Sequence, residues 1–191
     1  MVTVVAGVDE VGRGALFGPV VAAAVVLSDS ARGPLGTLGV TDSKALSAFQ
    51  RQQLVQPIQS LATTYALGMA SAQEIERLNI LQATLLAMAR AIERLSLRPD
   101  LCLVDGMQPI PQLDVTQQTV IQGDRHHVEI AAASILAKIW RDQLMVRLDR
   151  RYPGYGLATN KGYGSAYHRQ ALKILGPSRQ HRRSFKGCQG I

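Results

Sequence analysis

Two apolar, valine-rich runs, residues 2–8 (Val-Thr-Val-Val-Ala-Gly-Val) and 19–27, flank a short stretch carrying Asp9, Glu10, Gly12, Arg13, Gly14 and Gly18. Runs of this length and composition read as buried strands. A glycine turn this tight joins antiparallel neighbours, since parallel ones need a long crossover. Further strands are expected at 63–70, 101–104 and 119–121. Helical patterns lie between them. Ser47 caps a helix reaching about Leu61, with Pro57 as a kink or boundary. Ser71 and Glu74 form a capping box. Asn79 opens a longer helix with Leu81, Leu85, Met88, Ile92 and Leu95 on one face, and Pro99 ends it. Residues 128–151 contain no Gly or Pro and favour a long helix. Residues 28–43, rich in Gly, Pro and Ser, read as loop, and so do 107–114 and 152–164. A last helix is expected over 165–175. Alternating strands and helices make an α/β layered domain, and the opening hairpin makes its sheet mixed.

A chain of 191 residues with 47% hydrophobic and 18% charged residues is no disordered polyelectrolyte. On folding it buries about 70% of its unfolded surface, enough for one domain with one core. No apolar run approaches the roughly 18 residues of a membrane span, and Asp9, Glu10 and Arg13 interrupt any signal-like segment. Cys102 and Cys188 are far apart and form no CxxC. The expected location is cytoplasmic. Charge is unevenly spread. Residues 138–191 hold twelve Lys/Arg against Asp142 and Asp149, whereas the rest hold nine basic and twelve acidic residues. A basic final quarter on a slightly acidic body suits a polyanion partner, through phosphate contacts and counterion release, although a solvated basic face would look the same.

The few acids are placed tellingly. Asp9 and Glu10 follow the first apolar run, Asp105 follows another, and Asp124 follows a third beside Gly123. One such Asp alone is ordinarily a turn or cap residue. Three strand ends can instead converge at one sheet edge, where carboxylates repel unless hard cations such as Mg²⁺ or Mn²⁺ lie between them. Two such ions suit phosphoryl displacement. For Asp124 the alternative is capping the following helix at its positive end.

The order of motifs resembles bacterial ribonuclease HII. The blocks are Asp9-Glu10-Val11-Gly12-Arg13-Gly14 with Gly18-Pro19, then Asp42-Ser43-Lys44-Ala45-Leu46, Val104-Asp105-Gly106, and Gly123-Asp124 leading to Ile130-Ala131-Ala132-Ala133-Ser134 and Lys138. Lys161-Gly162-Tyr163-Gly164 with His168, and His181-Arg182-Arg183-Ser184-Phe185, complete the series. The match runs collinearly from residue 6 to about 186. It implies an RNase H-like α/β fold, a mixed sheet flanked by helices with a helical C-terminal extension. It also implies one catalytic domain over 1–191 whose basic segment from about 152 completes the substrate groove. The implied activity is endonucleolytic cleavage of RNA in RNA–DNA hybrids and incision 5′ to single ribonucleotides in duplex DNA, by a monomer with two Mn²⁺ or Mg²⁺ ions. By motif position the metal-binding acids are Asp9, Glu10, Asp105 and Asp124. Gly12, Arg13 and Gly14 would read the 2′-hydroxyl, the group that tells RNA from DNA. Tyr163 would pack on the sugar, and Lys44, Ser134 and Lys138 would meet phosphates.

Ala15, Phe17 and residues 178–180 depart from the family pattern, and no role is carried onto them. His126 and His127 lie outside it and read either as surface residues or as groups that tune the metal site beside Asp124. Taken alone, His168 reads as surface, Trp140 as a helix anchor in the core, and His181-Arg182-Arg183 as a basic tail. A non-catalytic hybrid-binding module is the competing function. A junction resolvase has no use for a 2′-hydroxyl reader, and a two-lobed kinase would need a second copy of the opening motif.

Overall fold

A computed structural model describes residues 3–189. Five strands form one sheet in the order β3-β2-β1-β4-β5: β1 (Val5–Val11), β2 (Val20–Leu27), β3 (Ala62–Ala70), β4 (Leu101–Asp105) and β5 (Thr116–Val120). β1 pairs antiparallel with β2 and parallel with β4, so the sheet is mixed as the opening hairpin demands. The first strand is displaced from its expected range of 2–8, whose first residue lies outside those described. It runs on through Val11 because Asp9, Glu10 and Val11 pair with Ala23, Ala22 and Val21 of β2. Asp9 and Glu10 therefore stand inside a strand rather than after one.

β2 is buried along its whole length. Its alternate residues serve two cores, as a pleat of period two requires. Val20, Ala22, Ala24 and Val26 face α3 (Ala72–Leu78) and α4 (Ile80–Glu93), whereas Val21, Ala23, Val25 and Leu27 face the other side. On that second face lie α1 (Asp29–Thr37), α2 (Ala48–Leu61) and α5 (Val128–Arg151). Ser47 and Gln50 close the capping box of α2, which continues through Pro57, and Ser71 and Glu74 close that of α3.

Two expected loops contain helices. Within 28–43, α1 forms despite Pro34, because Ala31 and Leu35, one turn apart, both reach the core. Arg32 on α1 also pairs with Asp29 and with the buried Glu129 of α5. Within 152–164, the short α6 (Leu157–Asn160) buries Leu157. The helix expected to stop at Pro99 ends at Glu93 instead. A third core joins Phe17, Met145, Tyr155, Leu157 and Leu172, fastening α7 (Ala166–Leu175) and the segment after it to the hairpin turn. No helix among the described residues is long and apolar enough to cross a membrane.

α5 sits hard against β1. A Cβ added at Gly7 would lie 2.2 Å from the main chain of Glu129. Gly7→Ala should therefore push α5 off the sheet and cost about 3 kcal/mol, at the upper end for overpacking. Urea denaturation checks this, and an unfolding free energy within about 0.3 kcal/mol of the parent's would contradict it.

Candidate active site

The acids meet where the sheet changes from antiparallel to parallel pairing. Val8 pairs with Val104, and one further step along the same parallel register sets Asp9 beside Asp105. Neighbouring residues of a strand face opposite sides. Asp9 accordingly turns toward α5 and Ser134, while Glu10 lines a groove of about 380 Å³ with Thr84, Met88 and Asp105 on the α4 side. Oxygens of Asp9, Glu10 and Asp105 nevertheless all lie within 4.8 Å of one another.

Electrostatically this is a costly arrangement. Burial, then Glu10 and Asp105, hold the Asp9 carboxyl well above its usual range, with Ser134 and the Glu10 N–H pulling the other way. Burial also raises Glu10 against the pull of Arg13, whose guanidinium lies 3.2 Å from it. A set of hard, mutually repelling oxygen donors, one buried and two half-buried, fits a divalent cation of the Mg²⁺ or Mn²⁺ type.

Asp124 stands outside the group of three. It lies in a 3-10 turn, Gly123–Arg125, tethered by the Gly123 N–H donating to Asp105 Oδ1 at 2.8 Å. It does not cap α5, whose N-cap is His127 without a side-chain bond. Burial, then Asp42 and Asp105, raise the Asp124 carboxyl, and Lys44 opposes them. Asp42 receives the Lys44 N–H at 2.9 Å and Arg125 Nε at 3.4 Å. Burial opposes ionisation of Asp42, but these partners outweigh it and its carboxyl is lowered. Asp42 and Ser43 are thus site-forming residues that the motif reading quoted without assigning a role.

The other expected residues divide. Gly12 has φ +89°, and a Cβ there would lie 2.1 Å from the Arg141 guanidinium, so only glycine serves. Gly14 has open space around it, and Arg13 is exposed. Lys44 is exposed beside Asp42. Ser134 is buried, shares a 2.8 Å hydrogen bond with Ser43 and also hydrogen-bonds Asp9. Lys138 is half-buried and bonded to Asp142 at 2.8 Å. The Tyr163 ring is partly exposed over Arg141, 5.5 Å from its guanidinium carbon. Its loop is tied to the hairpin turn by Leu16 and Phe17 N–H groups donating to Gly162 O at 2.8 and 3.2 Å.

His126 is exposed and His127 half-buried, away from the three-acid group. His168 and Arg182 depart from expectation, for both are fully buried, and His181 nearly so. His168 Nδ1 donates to Tyr163 O at 2.9 Å, and its Nε2 lies 3.1 Å from His181 Nε2. Sequence periodicity offered a sign of this, since His168, Ala171 and Leu172 share one face of α7. Arg141 is likewise enclosed, between Ala137 and Met145 at turn spacing on α5.

Comparison with known proteins agrees with this architecture. Residues 6–188 match the family described as Ribonuclease HII. The chain is 66% identical to Ribonuclease HII of Acaryochloris marina over 97% of this chain and 93% of the relative. It is 62% identical to that of Synechococcus elongatus, over 95% and 84% respectively. Among solved structures it is similar to the RNase HII of Archaeoglobus fulgidus, determined in complex with PCNA, with a TM-score of 0.81 at 27% identity over 98% of both chains. The ribonuclease H2 of Pyrococcus horikoshii gives a TM-score of 0.80 at 26% identity, over 97% of this chain and 95% of the other.

Proposed function

The chain belongs to the ribonuclease HII family, metal-dependent endonucleases acting on RNA–DNA hybrids, and on that premise we propose that it also incises duplex DNA 5′ to single embedded ribonucleotides. The observation that carries this reading is the Asp9, Glu10 and Asp105 cluster beside Gly12, Arg13 and Gly14, in a turn whose next residues, Leu16 and Phe17, donate to Gly162 of the loop bearing Tyr163. Acids of this kind serve phosphodiester chemistry generally, but a turn with glycine on either side of Arg13 leaves main chain open beside them and suits recognition of a ribose hydroxyl.

In this reading Asp9, Glu10, Asp105 and Asp124 hold two Mg²⁺ or Mn²⁺ ions. When bound, such ions supply Lewis-acid charge at the attacking water and at the departing oxygen. Ser134 and the Glu10 N–H orient Asp9 and favour its ionised form against the opposing burial and neighbouring acids. Gly12 and Gly14 bring main chain close to the 2′-hydroxyl, and Tyr163 packs on the sugar. Arg13 and Lys44 are exposed and meet phosphates, and Lys138 joins them by giving up its pairing with Asp142. Water adds to phosphorus as the bond to the upstream 3′-oxygen breaks, leaving a 3′-hydroxyl and a 5′-phosphate on the ribonucleotide. The basic segment from about 152 completes the groove of a single catalytic domain, which acts as a monomer in the cytoplasm.

A labelled DNA duplex with one ribonucleotide, incubated with and without Mg²⁺ or Mn²⁺ beside an all-DNA control, tests the reading. The expected result is one metal-dependent cut 5′ to the ribonucleotide and none in the control. Binding without cutting in either metal would overturn it and favour a hybrid-binding module.

A further inference from the structure

Arg141 and Arg182 lie inside the protein, and neither forms an ion pair among the described residues. Their N–H groups go to main-chain carbonyls instead. Arg182 donates from Nε to Gly18 O at 3.0 Å and from Nη1 to Arg13 O at 2.7 Å. Arg141 donates from Nε to Pro19 O at 3.1 Å, from Nη2 to Phe17 O at 3.0 Å and from Nη1 to Lys161 O at 2.8 Å. Burial, then the neighbouring Arg141, push the Arg182 guanidinium down to about 9. Its Nη2 has no hydrogen-bond partner among the described residues.

Two unpaired like charges are a poor way to fill space, since apolar side chains of similar volume pack as well without the desolvation penalty. A guanidinium offers direction instead, because its planar fork fixes where each acceptor must stand. Arg182 bridges the hairpin turn from within, from the Arg13 carbonyl at one end to the Gly18 carbonyl at the other. In a trans peptide the C=O and the following N–H point opposite ways. With the Arg13 carbonyl drawn inward, the Gly14 N–H on the same peptide plane points outward. That N–H makes no hydrogen bond among the described residues, and Gly14 has open space around it.

We infer that Arg182 is a positioning residue for ribose recognition: by holding the Arg13 carbonyl inward, it fixes the Gly14 N–H as an outward donor aimed at the 2′-oxygen of the substrate. This rests on the reading of Gly12, Arg13 and Gly14 as the ribose-sensing turn. Arg141 braces the far end of the same turn and joins it to the Tyr163 loop through Lys161.

Arg182→Lys tests it, since one ammonium on a flexible stem does not reproduce the fork. Steady-state kinetics are measured on two duplexes, one with a single ribonucleotide and one with a 2′-fluoro nucleotide at the same place. The expected result is a kcat about tenfold lower on the ribonucleotide duplex, the value of one hydrogen bond. KM stays within twofold, and the slow cleavage of the fluoro duplex is unchanged. A purely structural role would lower both substrates by the same factor, and that outcome, or no change on either, overturns the inference. Should Arg182→Lys not fold, hydrogen exchange on the unsubstituted protein decides. The amides of Leu16, Phe17 and Gly18 must exchange as slowly as those of β1 and β2, and fast exchange overturns the clamp. Indifference of the unsubstituted enzyme to the 2′ group instead overturns the ribose-sensing reading itself.

Discussion

Replacing Asp9 or Asp105 by Asn should make the metal-free protein more stable while abolishing cleavage. Both substitutions keep size and remove one charge from a group whose oxygens lie within 4.8 Å. For Asp105 the sign follows from removing one charge beside Asp9, and for Asp9 from its own titration. The Asp9 carboxyl is raised by burial, Glu10 and Asp105, so the folded chain holds its proton to higher pH than the unfolded chain does. Stability is therefore lost as pH climbs from the ordinary Asp value through the raised one. An amide never ionises and escapes this loss. The expected gain is on the order of 1 kcal/mol, as when a destabilised active site is relieved, or about 2–4 °C in Tm at this size. The expected loss of kcat is ~10³-fold or more, corresponding to several kcal/mol of charge stabilisation. Thermal melts in EDTA and in Mg²⁺ check both halves. Mg²⁺ should raise the Tm of the parent and leave that of the variants nearly unmoved. A variant less stable than its parent in EDTA would show that the acids stabilise the fold instead of straining it.

Acid should loosen the opposite side of the site through the histidine pair. The hydrogen bonds assign both rings as neutral: Ser178 N–H donates to His181 Nδ1, His181 Nε2–H to His168 Nε2, and His168 Nδ1–H to Tyr163 O. A proton added to either ring sets donor against donor. Burial, then His168, push His181 down to about 4, and burial lowers His168 too. An unfolded histidine takes its proton near 6.5, so the stability is complete above that value. It is lost as pH falls from about 6.5 toward 4, because the unfolded chain binds protons that the folded one refuses. For His181 alone the loss is about 3 kcal/mol at 1.36 kcal/mol per pH unit. The raised Asp9 and Glu10 carboxyls oppose it by taking up protons in the folded state. The measurement is Tm against pH from 7.5 to 4.5 for the parent and for His181→Phe. A flatter curve for the variant is expected, and parallel curves would remove the pair from the account.

What could be read without coordinates was whatever depends on neighbours in sequence. The limits of α5, Val128–Arg151, follow from an uninterrupted run of helix formers, and the caps at Ser47 and Ser71 from residues three apart. The convergence of Asp9, Glu10 and Asp105 followed from apolar runs ending in acids. The misses share one cause. α1 was hidden by Pro34 and by glycines at 33 and 36, and what anchors it comes partly from Glu129, far along the chain. The burial of Arg141 and Arg182 depends on carbonyls from residues 13–19 and 161, and that of His168 on His181. No local pattern distinguishes an arginine that meets phosphate from one that meets a carbonyl of its own chain. Asp124 was placed at the right edge, but whether it joins the other three acids depends on how the turn from Gly123 hangs from Asp105.

The stitching of the C-terminal segment onto the first hairpin turn also sets an order of assembly. Asp9, Glu10, Asp105 and Asp124 have all been synthesised by residue 124, but the turn beside them is pinned by residues made later: Arg141, Gly162, His181, which bridges to Phe17, and Arg182, whose main-chain N–H donates to Leu16 O at 2.8 Å. A nascent chain emerging from the ribosome can therefore carry its complete carboxylate set for much of its synthesis while the neighbouring turn stays unbraced. The part that strains the fold is made early and the part that disciplines it is made late, so an incomplete chain holds the clustered acids without the contacts that brace the turn beside them.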